Sequence, residues 1–93
     1  MAIPSIFHRH GYTHRLIKRE ANIALYSLTK FGRMTYEVCK VRTAASDNAL
    51  TGRKAGEEYL PSTSEWGIYG WTFQTLPAAE RQFKALVYLT PTI

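Results

Sequence analysis

The fold of this 93-residue chain is decided by residues 22–42, NIALYSLTKFGRMTYEVCKVR. Residues 22–29 alternate apolar, β-branched and aromatic side chains at period two, which predicts a β-strand. A second strand-forming run follows at 35–42, and the alternation predicts that Cys39 points inward. Lys30–Met34 has a central glycine, so we expect the two strands to pair as a hairpin through a connection of three to five residues.

The segment ahead of this hairpin has a weaker pattern. Residues 1–12 contain a proline, a glycine and no sustained periodicity, which predicts an irregular arm. Another strand is expected around Arg15–Lys18, with Glu20–Asn22 forming a turn or bulge before the main hairpin. A helix over residues 13–28 is the alternative for this stretch.

The segment after the hairpin begins with a long polar stretch. Residues 43–56 are rich in Gly, Ser, Asn and Asp, which predicts an exposed loop. We expect a short strand over Glu57–Pro61 that ends at the proline, then the start of a helical turn at Ser62–Glu65. A further strand over Gly67–Gln74 would place Trp71 and Phe73 on one face.

The C-terminal region predicts one amphipathic helix. Thr75 can cap its first turn, and apolar residues at helical spacing form a stripe over about 77–87: Ala79, Phe83, Leu86 and Val87. The predicted fold is therefore α+β, a small antiparallel sheet of three to four strands with one C-terminal helix packed on it. Residues 1–93 are expected to form a single domain.

Composition limits the compartment and the chemistry. A hydrophobic content of 45% and a charged content of 20% are those of a globular protein. A single cysteine, Cys39, excludes an intramolecular disulfide and favours a reducing compartment. We find no secretory leader pattern and no apolar run long enough for a membrane span, so a cytoplasmic protein without a membrane partner is expected.

The positive charge is concentrated in the first half of the chain. The formal net charge is +5, and residues 1–42 hold eight Lys or Arg against two acids, whereas residues 43–93 hold four against five. Aromatic residues are interleaved with these cations, a composition typical of surfaces that bind single-stranded nucleic acid. An ordinary solvated basic face is the alternative. The predicted contacts for phosphate or carboxylate groups of a partner are Arg9, Arg15, Lys18, Arg19, Lys30, Arg33, Arg53 and Lys54.

Catalytic and metal motifs are weak. His8, His10 and His14 could supply metal ligands, but no acid precedes Glu20 and neighbouring arginines would repel a cation. A cysteine within a strand is usually a small buried hydrophobe rather than a nucleophile. No phosphate-binding glycine motif or nucleophile elbow is present. We therefore expect no enzyme activity, no cofactor, no metal and no small-molecule substrate, and a metal-dependent nuclease using the histidines remains as a weaker alternative.

The most unusual local feature is Trp66-Gly67-Ile68-Tyr69-Gly70-Trp71, in which two indoles and a tyrosine are spaced by glycines. Such a cluster can be a binding platform at the surface. In a small domain, burial in the core is the more common role for large rings. Both interpretations are open at the level of sequence.

The run Glu58-Tyr59-Leu60-Pro61-Ser62, then Trp66–Phe73, then Thr75-Leu76 and Ala79-Glu80 with Phe83, resembles the C-terminal half of small orphan proteins of bacteriophages and mobile elements. The chain is thereby similar to phage-encoded anti-CRISPR proteins, in particular inhibitors of type I-F. This resemblance implies a non-enzymatic inhibitor in the cytoplasm of the bacterial host. Such a protein would bind Cas subunits, guide RNA or both, and would block target DNA binding. The alternative is a small phage or plasmid nucleic acid-binding protein.

Overall fold

The computed structural model of the chain describes residues 3–50, 52–61 and 66–89. Strands β1 to β4 and β7 form a five-stranded antiparallel sheet in the order β1-β2-β3-β4-β7, and β5 and β6 pair as a separate ribbon. One helix, α1, packs on the sheet, which confirms the α+β class. The elements are β1 Ile6–Arg9, β2 Tyr12–Glu20, β3 Ile23–Lys30, β4 Arg33–Lys40, β5 Arg42–Thr43, β6 Glu58–Tyr59, β7 Gly70–Phe73 and α1 Leu76–Leu89.

Two tight turns lie at the same end of the sheet. His10-Gly11 joins β1 to β2 and Phe31-Gly32 joins β3 to β4, and all four residues have φ between 52° and 81°. Positive φ at both central positions is the signature of a type I′ turn, whose twist matches that of the paired strands. The second connection is shorter than the three to five residues that the sequence predicts, because Lys30 and Arg33 still pair with each other.

The face of the sheet that carries α1, the helix face, holds one half of the core. Ile23 and Leu25 from β3 and Val38 from β4 are fully buried beneath the helix. The predicted apolar stripe of α1 makes this contact, with Leu76 added at its start: Leu76, Ala79, Phe83, Leu86 and Val87. The helix extends slightly beyond the predicted bounds of 77–87, and its last two residues, Tyr88 and Leu89, are exposed.

The opposite face, which we call the pocket face, holds the other half of the core. Ala24, Tyr26 and Cys39 are buried there, and Cys39 points inward as predicted. The N-terminal Ile3 and Leu60, from the segment after β6, cover part of this face. The remaining part of the face, towards the two type I′ turns, is left open.

The N-terminal segment forms a strand over Ile6–Arg9, where the sequence predicts an irregular arm. Residue Ile6 pairs with Arg15 in β2, so the sheet gains an edge strand and has five strands instead of the predicted three to four. The segment before β1 is also anchored, because the Tyr26 hydroxyl donates a hydrogen bond of 2.7 Å to the carbonyl of Pro4. Isolated apolar residues in the N-terminal segment thus find partners that a periodicity analysis does not detect.

Strand β2 is longer than predicted and contains a β-bulge. The register with β3 shifts between Leu16 and Lys18, so Ile17 is the extra residue. Because of the shift, Leu16 lies on the pocket face and Lys18 on the helix face, although residues two apart in a regular strand share a face. Arg19 is thereby turned back to the pocket face.

Residues 44–50 and 52–56 form a mostly exposed loop, as predicted, and a bridge joins Asn48 to Arg53. Strand β6 occupies the middle of the predicted Glu57–Pro61 strand. Strand β7 covers only the second part of the predicted Gly67–Gln74 strand, because residues 67–69 form a turn. The predicted helical turn at Ser62–Glu65 lies outside the described residues. Among the helices that the described ranges contain, none is long and apolar enough to cross a membrane.

Candidate functional site

A pocket of about 360 Å³ occupies the open part of the pocket face. It lies between the β1–β2 turn, the middle of β4 and the segment that leads into β7. Its lining combines aromatic rings, charged groups and hydroxyl or amide groups: Arg9, His10, Tyr12, His14, Leu28, Thr35, Glu37, Trp66, Thr72 and Gln74. A mixed lining of this kind can hold a flat ligand that carries both hydrogen-bond donors and acceptors.

Trp66 forms one wall of the pocket. Its indole N–H donates a hydrogen bond of 2.9 Å to the Thr72 hydroxyl, and its ring lies over Gly70. A Cβ at Gly70 would lie 2.6 Å from Cε3 of that ring, so only glycine leaves room for the indole here. Trp66 and Trp71 are each half-buried. The tryptophan cluster therefore lies at the boundary between core and surface, and Trp66 contributes to the pocket.

His14 lies at the floor of the pocket. The residue is 5% exposed, and its imidazole stacks on the Phe7 ring at a centroid distance of 4.3 Å. Burial lowers the pKa of His14, and the nearby positive charge of Arg9 acts in the same direction. The Nδ1 atom is buried and has no hydrogen-bond partner among the described residues. His14 therefore places at the floor of the pocket an imidazole whose Nδ1 has no hydrogen-bond partner among the described residues.

Glu37 is the carboxylate of the pocket, and the sequence did not single it out as a site residue. Burial raises the pKa of Glu37 to about 7, and the Arg9 guanidinium acts in the opposite direction. The carboxylate oxygen Oε1 lies 3.6 Å from Nε2 of His14, which is beyond hydrogen-bond distance. No described residue donates a hydrogen bond to this carboxylate, so its acceptor capacity remains available to a ligand.

The mouth of the pocket adjoins a set of cations and rings at the two type I′ turns. We call this set the tip surface and define it as Arg9, His10, Tyr12, Lys30, Phe31 and Arg33. The Lys30 ammonium lies 4.9 Å from the centroid of the Tyr12 ring and 5.6 Å from that of Phe31. Its Nζ also donates to the carbonyl of His10 at 3.5 Å, which links the two turns. Arg33 is the cross-strand partner of Lys30 and shares its face.

Phe31 is the most exposed ring of the tip surface. It is 93% exposed and occupies the first central position of a type I′ turn with φ of 52°. That conformation favours Asn, Asp or Gly over a residue with a bulky side chain. The phenyl ring therefore neither fills the core nor suits the turn, so the requirements of the fold do not explain it.

The eight cations that the sequence predicts as contacts fall into three places. Three of them belong to the tip surface. Arg15 and Lys18 lie on the helix face, where the Lys18 ammonium is 3.6 Å from Glu80 and 4.9 Å from the centroid of the Phe83 ring. The others belong to the region of the β5–β6 ribbon and its loop: Arg19, Arg53 and Lys54.

Arg19 is engaged within the fold. Its guanidinium donates hydrogen bonds of 2.6 and 2.5 Å to the two carboxylate oxygens of Glu58. These bonds lower the pKa of Glu58 to about 2. Arg53 lies 3.9 Å from the centroid of the Tyr59 ring, and Lys54 is exposed in the adjoining loop.

The three histidines do not form a cluster. His8 faces Thr13, with 3.2 Å between its Nδ1 and the threonine hydroxyl, whereas His14 stacks on the pocket face. Across residues 3–50, 52–61 and 66–89 no group of three or more potential metal-ligating side chains is found. Burial raises the pKa of the Cys39 thiol to about 12, so this side chain is a neutral core residue.

Comparisons with known proteins indicate no function for this chain, so we infer its function from the geometry of the site. No protein-family model, no curated protein and no solved structure matches this chain.

Proposed function

We propose that this protein is a non-enzymatic binding protein that holds single-stranded nucleic acid on the tip surface. The observation that supports this proposal most directly is Phe31, a 93% exposed ring placed at an unfavourable turn position between Lys30 and Arg33. Proteins that bind single strands use exposed rings to stack on bases and nearby cations to contact phosphates. The tip surface offers both within one patch.

The charges of the tip surface support the same proposal. Neither Lys30 nor Arg33 lies in an ion pair with a described carboxylate, whereas Lys18 and Arg19 do. Cations that are not engaged in an ion pair with a described carboxylate are available to phosphate groups, and their binding would release counterions from the nucleic acid. Among the predicted contacts, those at the two turns are therefore better placed than those that stabilise the fold.

A second candidate function is inhibition of a type I CRISPR-Cas surveillance complex in the cytoplasm of the bacterial host. The sequence resemblance over Glu58–Phe83 favours it, and a net charge of +5 argues against mimicry of DNA. In this case the tip surface would contact guide RNA or an acidic patch of a Cas subunit, and target DNA would be excluded. No cofactor and no membrane partner enter either candidate.

Titration of a labelled single-stranded RNA or DNA of about eight nucleotides, followed by fluorescence anisotropy, tests the first function. The double variant K30Q/R33Q should bind at least roughly tenfold more weakly and should lower the slope of log affinity against log salt by about two. The control R81Q/K84Q removes the same charge from exposed positions on α1. Binding that is equal in both double variants would contradict the proposal.

A reconstituted type I-F complex separates the two candidates. If the second function holds, the wild-type protein blocks target DNA binding by the complex at stoichiometric amounts, and K30Q/R33Q does not. If the protein binds free single strands but leaves target binding unchanged, the second function is wrong and the first stands.

A further inference from the structure

The pocket beside the tip surface combines two charged groups with opposite hydrogen-bonding character. Arg9 carries a guanidinium, which only donates hydrogen bonds, and Glu37 carries a carboxylate, which only accepts them when ionised. Both line the same pocket of about 360 Å³. A ligand that satisfies them must present acceptors on one edge and donors on another.

Several polar groups of the pocket lack full partners in the free protein. The Nδ1 atom of His14 is buried without a hydrogen bond, and no described residue donates to the Glu37 carboxylate. The Arg9 guanidinium makes one long contact of 3.4 Å with the carbonyl of Pro61. A buried polar atom is normally satisfied within a fold, so the unpartnered Nδ1 of His14, beside the partly exposed carboxylate of Glu37, indicates a site that a polar ligand completes.

The walls and the size of the pocket suit a flat aromatic ligand. Tyr12 and Trp66 line it with rings, and Thr72 holds the Trp66 indole in place through a hydrogen bond of 2.9 Å. The volume is at the lower end of the ~300–1,000 Å³ range of small-molecule sites. A single base therefore fits within this volume.

We propose that this pocket binds a single guanine base. Guanine presents the acceptors O6 and N7 on the edge that arginine recognises in a bidentate manner, which suits Arg9. Its N1–H and N2 amino donors lie on the Watson–Crick edge, where a carboxylate such as Glu37 can accept both. Adenine and cytosine each place an acceptor next to their amino donor on that edge, so they match an ionised carboxylate less well.

This inference rests on the proposed function, because a strand on the tip surface would deliver the base. Lys30 lies beside Tyr12 at the pocket mouth, at 4.9 Å from the ring centroid, and can hold a phosphate next to an inserted base. Single-stranded bases are commonly recognised in this way, through stacking between side chains and hydrogen bonds to the Watson–Crick edge. The same chemistry is present in free GMP, which therefore serves as a separate arm of the test.

The test compares short thymine oligonucleotides that contain one central G, A, C, inosine or 7-deazaguanine. Each is titrated into the wild-type protein above pH 8, because the pKa of Glu37 is raised to about 7 and its carboxylate is ionised there. The G oligonucleotide should bind at least roughly tenfold more tightly than the all-thymine strand. Inosine lacks the N2 amino group and 7-deazaguanine lacks N7, so each should lose several-fold of this preference. The variant E37Q should retain its affinity for the all-thymine strand and lose the preference for G over inosine.

The titrations with oligonucleotides and with free GMP separate an error in the guanine proposal from an error in the proposed function. If all strands bind equally well, the guanine inference is wrong while the binding function stands. If no strand binds and GMP does, the pocket takes a free nucleotide and the proposed function is wrong. If neither strands nor GMP bind, both proposals are overturned.

Discussion

Arg19 and Glu58 join two parts of the chain that are 39 residues apart through paired hydrogen bonds of 2.6 and 2.5 Å. The pair fastens the β5–β6 ribbon to the pocket face of the main sheet. Glu58 also accepts a hydrogen bond of 3.3 Å from the backbone N–H of Ile3. One carboxylate thus ties together the N-terminal segment, strand β2 and the ribbon.

Substitution of this carboxylate should destabilise the fold. E58Q keeps the shape of the side chain and loses the charge, which should lower the free energy of unfolding by roughly 0.5–1.5 kcal/mol, because the pair is partly screened by solvent. Because the pKa of Glu58 is lowered from 4.5 to about 2 in the folded state, its contribution is present above pH 4.5 and is lost as the pH falls towards 2. Thermal unfolding of wild type and E58Q should therefore converge in acid. A difference in melting temperature that is the same at neutral and acid pH would show that the charge is not the cause.

Glu37 should have the opposite dependence on pH. Its pKa is raised from 4.5 to about 7, so the folded state favours the protonated form and loses stability as the pH rises through this interval. At about pH 8 the neutral variant E37Q should have a higher melting temperature than wild type. Its free energy of unfolding should be higher by up to about 3 kcal/mol. The difference should vanish near pH 4. The exposed substitution E20Q is the matched control. If E37Q is less stable than wild type at both pH values, burial does not disfavour the ionised form of Glu37.

Phe31 should be dispensable for folding and needed for binding. F31N places a residue with a higher preference for the positive φ of this turn, so stability should be unchanged or higher by about 1 kcal/mol. Loss of one stacking ring should weaken binding of single strands by about 1–3 kcal/mol. F31W keeps a ring at the same place and should retain affinity. Equal binding by F31N and wild type would remove the ring from the interface.

Gly70 should be intolerant of a methyl group because of the Trp66 ring. G70A places a Cβ 2.6 Å from Cε3 of that ring and in contact with its Cζ3, so the indole must move and the pocket wall with it. We expect a lower melting temperature and a changed tryptophan emission. The double variant G70A/W66A should lose less stability than the sum of the losses in G70A and W66A, because the clash is absent without the indole. If the stability losses of G70A and W66A simply add in the double variant, contact with the indole is not the reason why G70A is destabilising.

The local parts of the fold are predictable from sequence because they depend on short-range periodicity. The alternation in β3 and β4, the inward position of Cys39 and the apolar stripe of α1 follow from neighbours in the chain. The pattern that carries the phage-protein resemblance also has a packing explanation, since Gly70 accommodates Trp66 and Phe83 lies in the core.

The site could not be predicted in the same way because it depends on long-range contacts. The bulge at Ile17 separates Arg15 and Lys18 on the helix face from Arg19 on the pocket face, and no local signal marks it. Glu37 has the sequence context of an ordinary strand residue, and its burial follows from elements that pack on β4. Lys18 and Arg19 form ion pairs with Glu80 and Glu58. Reversing the charge of Arg15, Lys18 and Arg19 together would therefore break ion pairs of the fold as well as any interface.

An NMR titration of the ¹⁵N-labelled protein with a short single-stranded RNA reports where the bound strand lies. If the tip surface holds the strand, the largest amide shift changes fall on residues 9–12 and 30–35, with little change along Leu76–Leu89. Changes confined to the helix face, or a spectrum unaffected by saturating RNA at low salt, would contradict it.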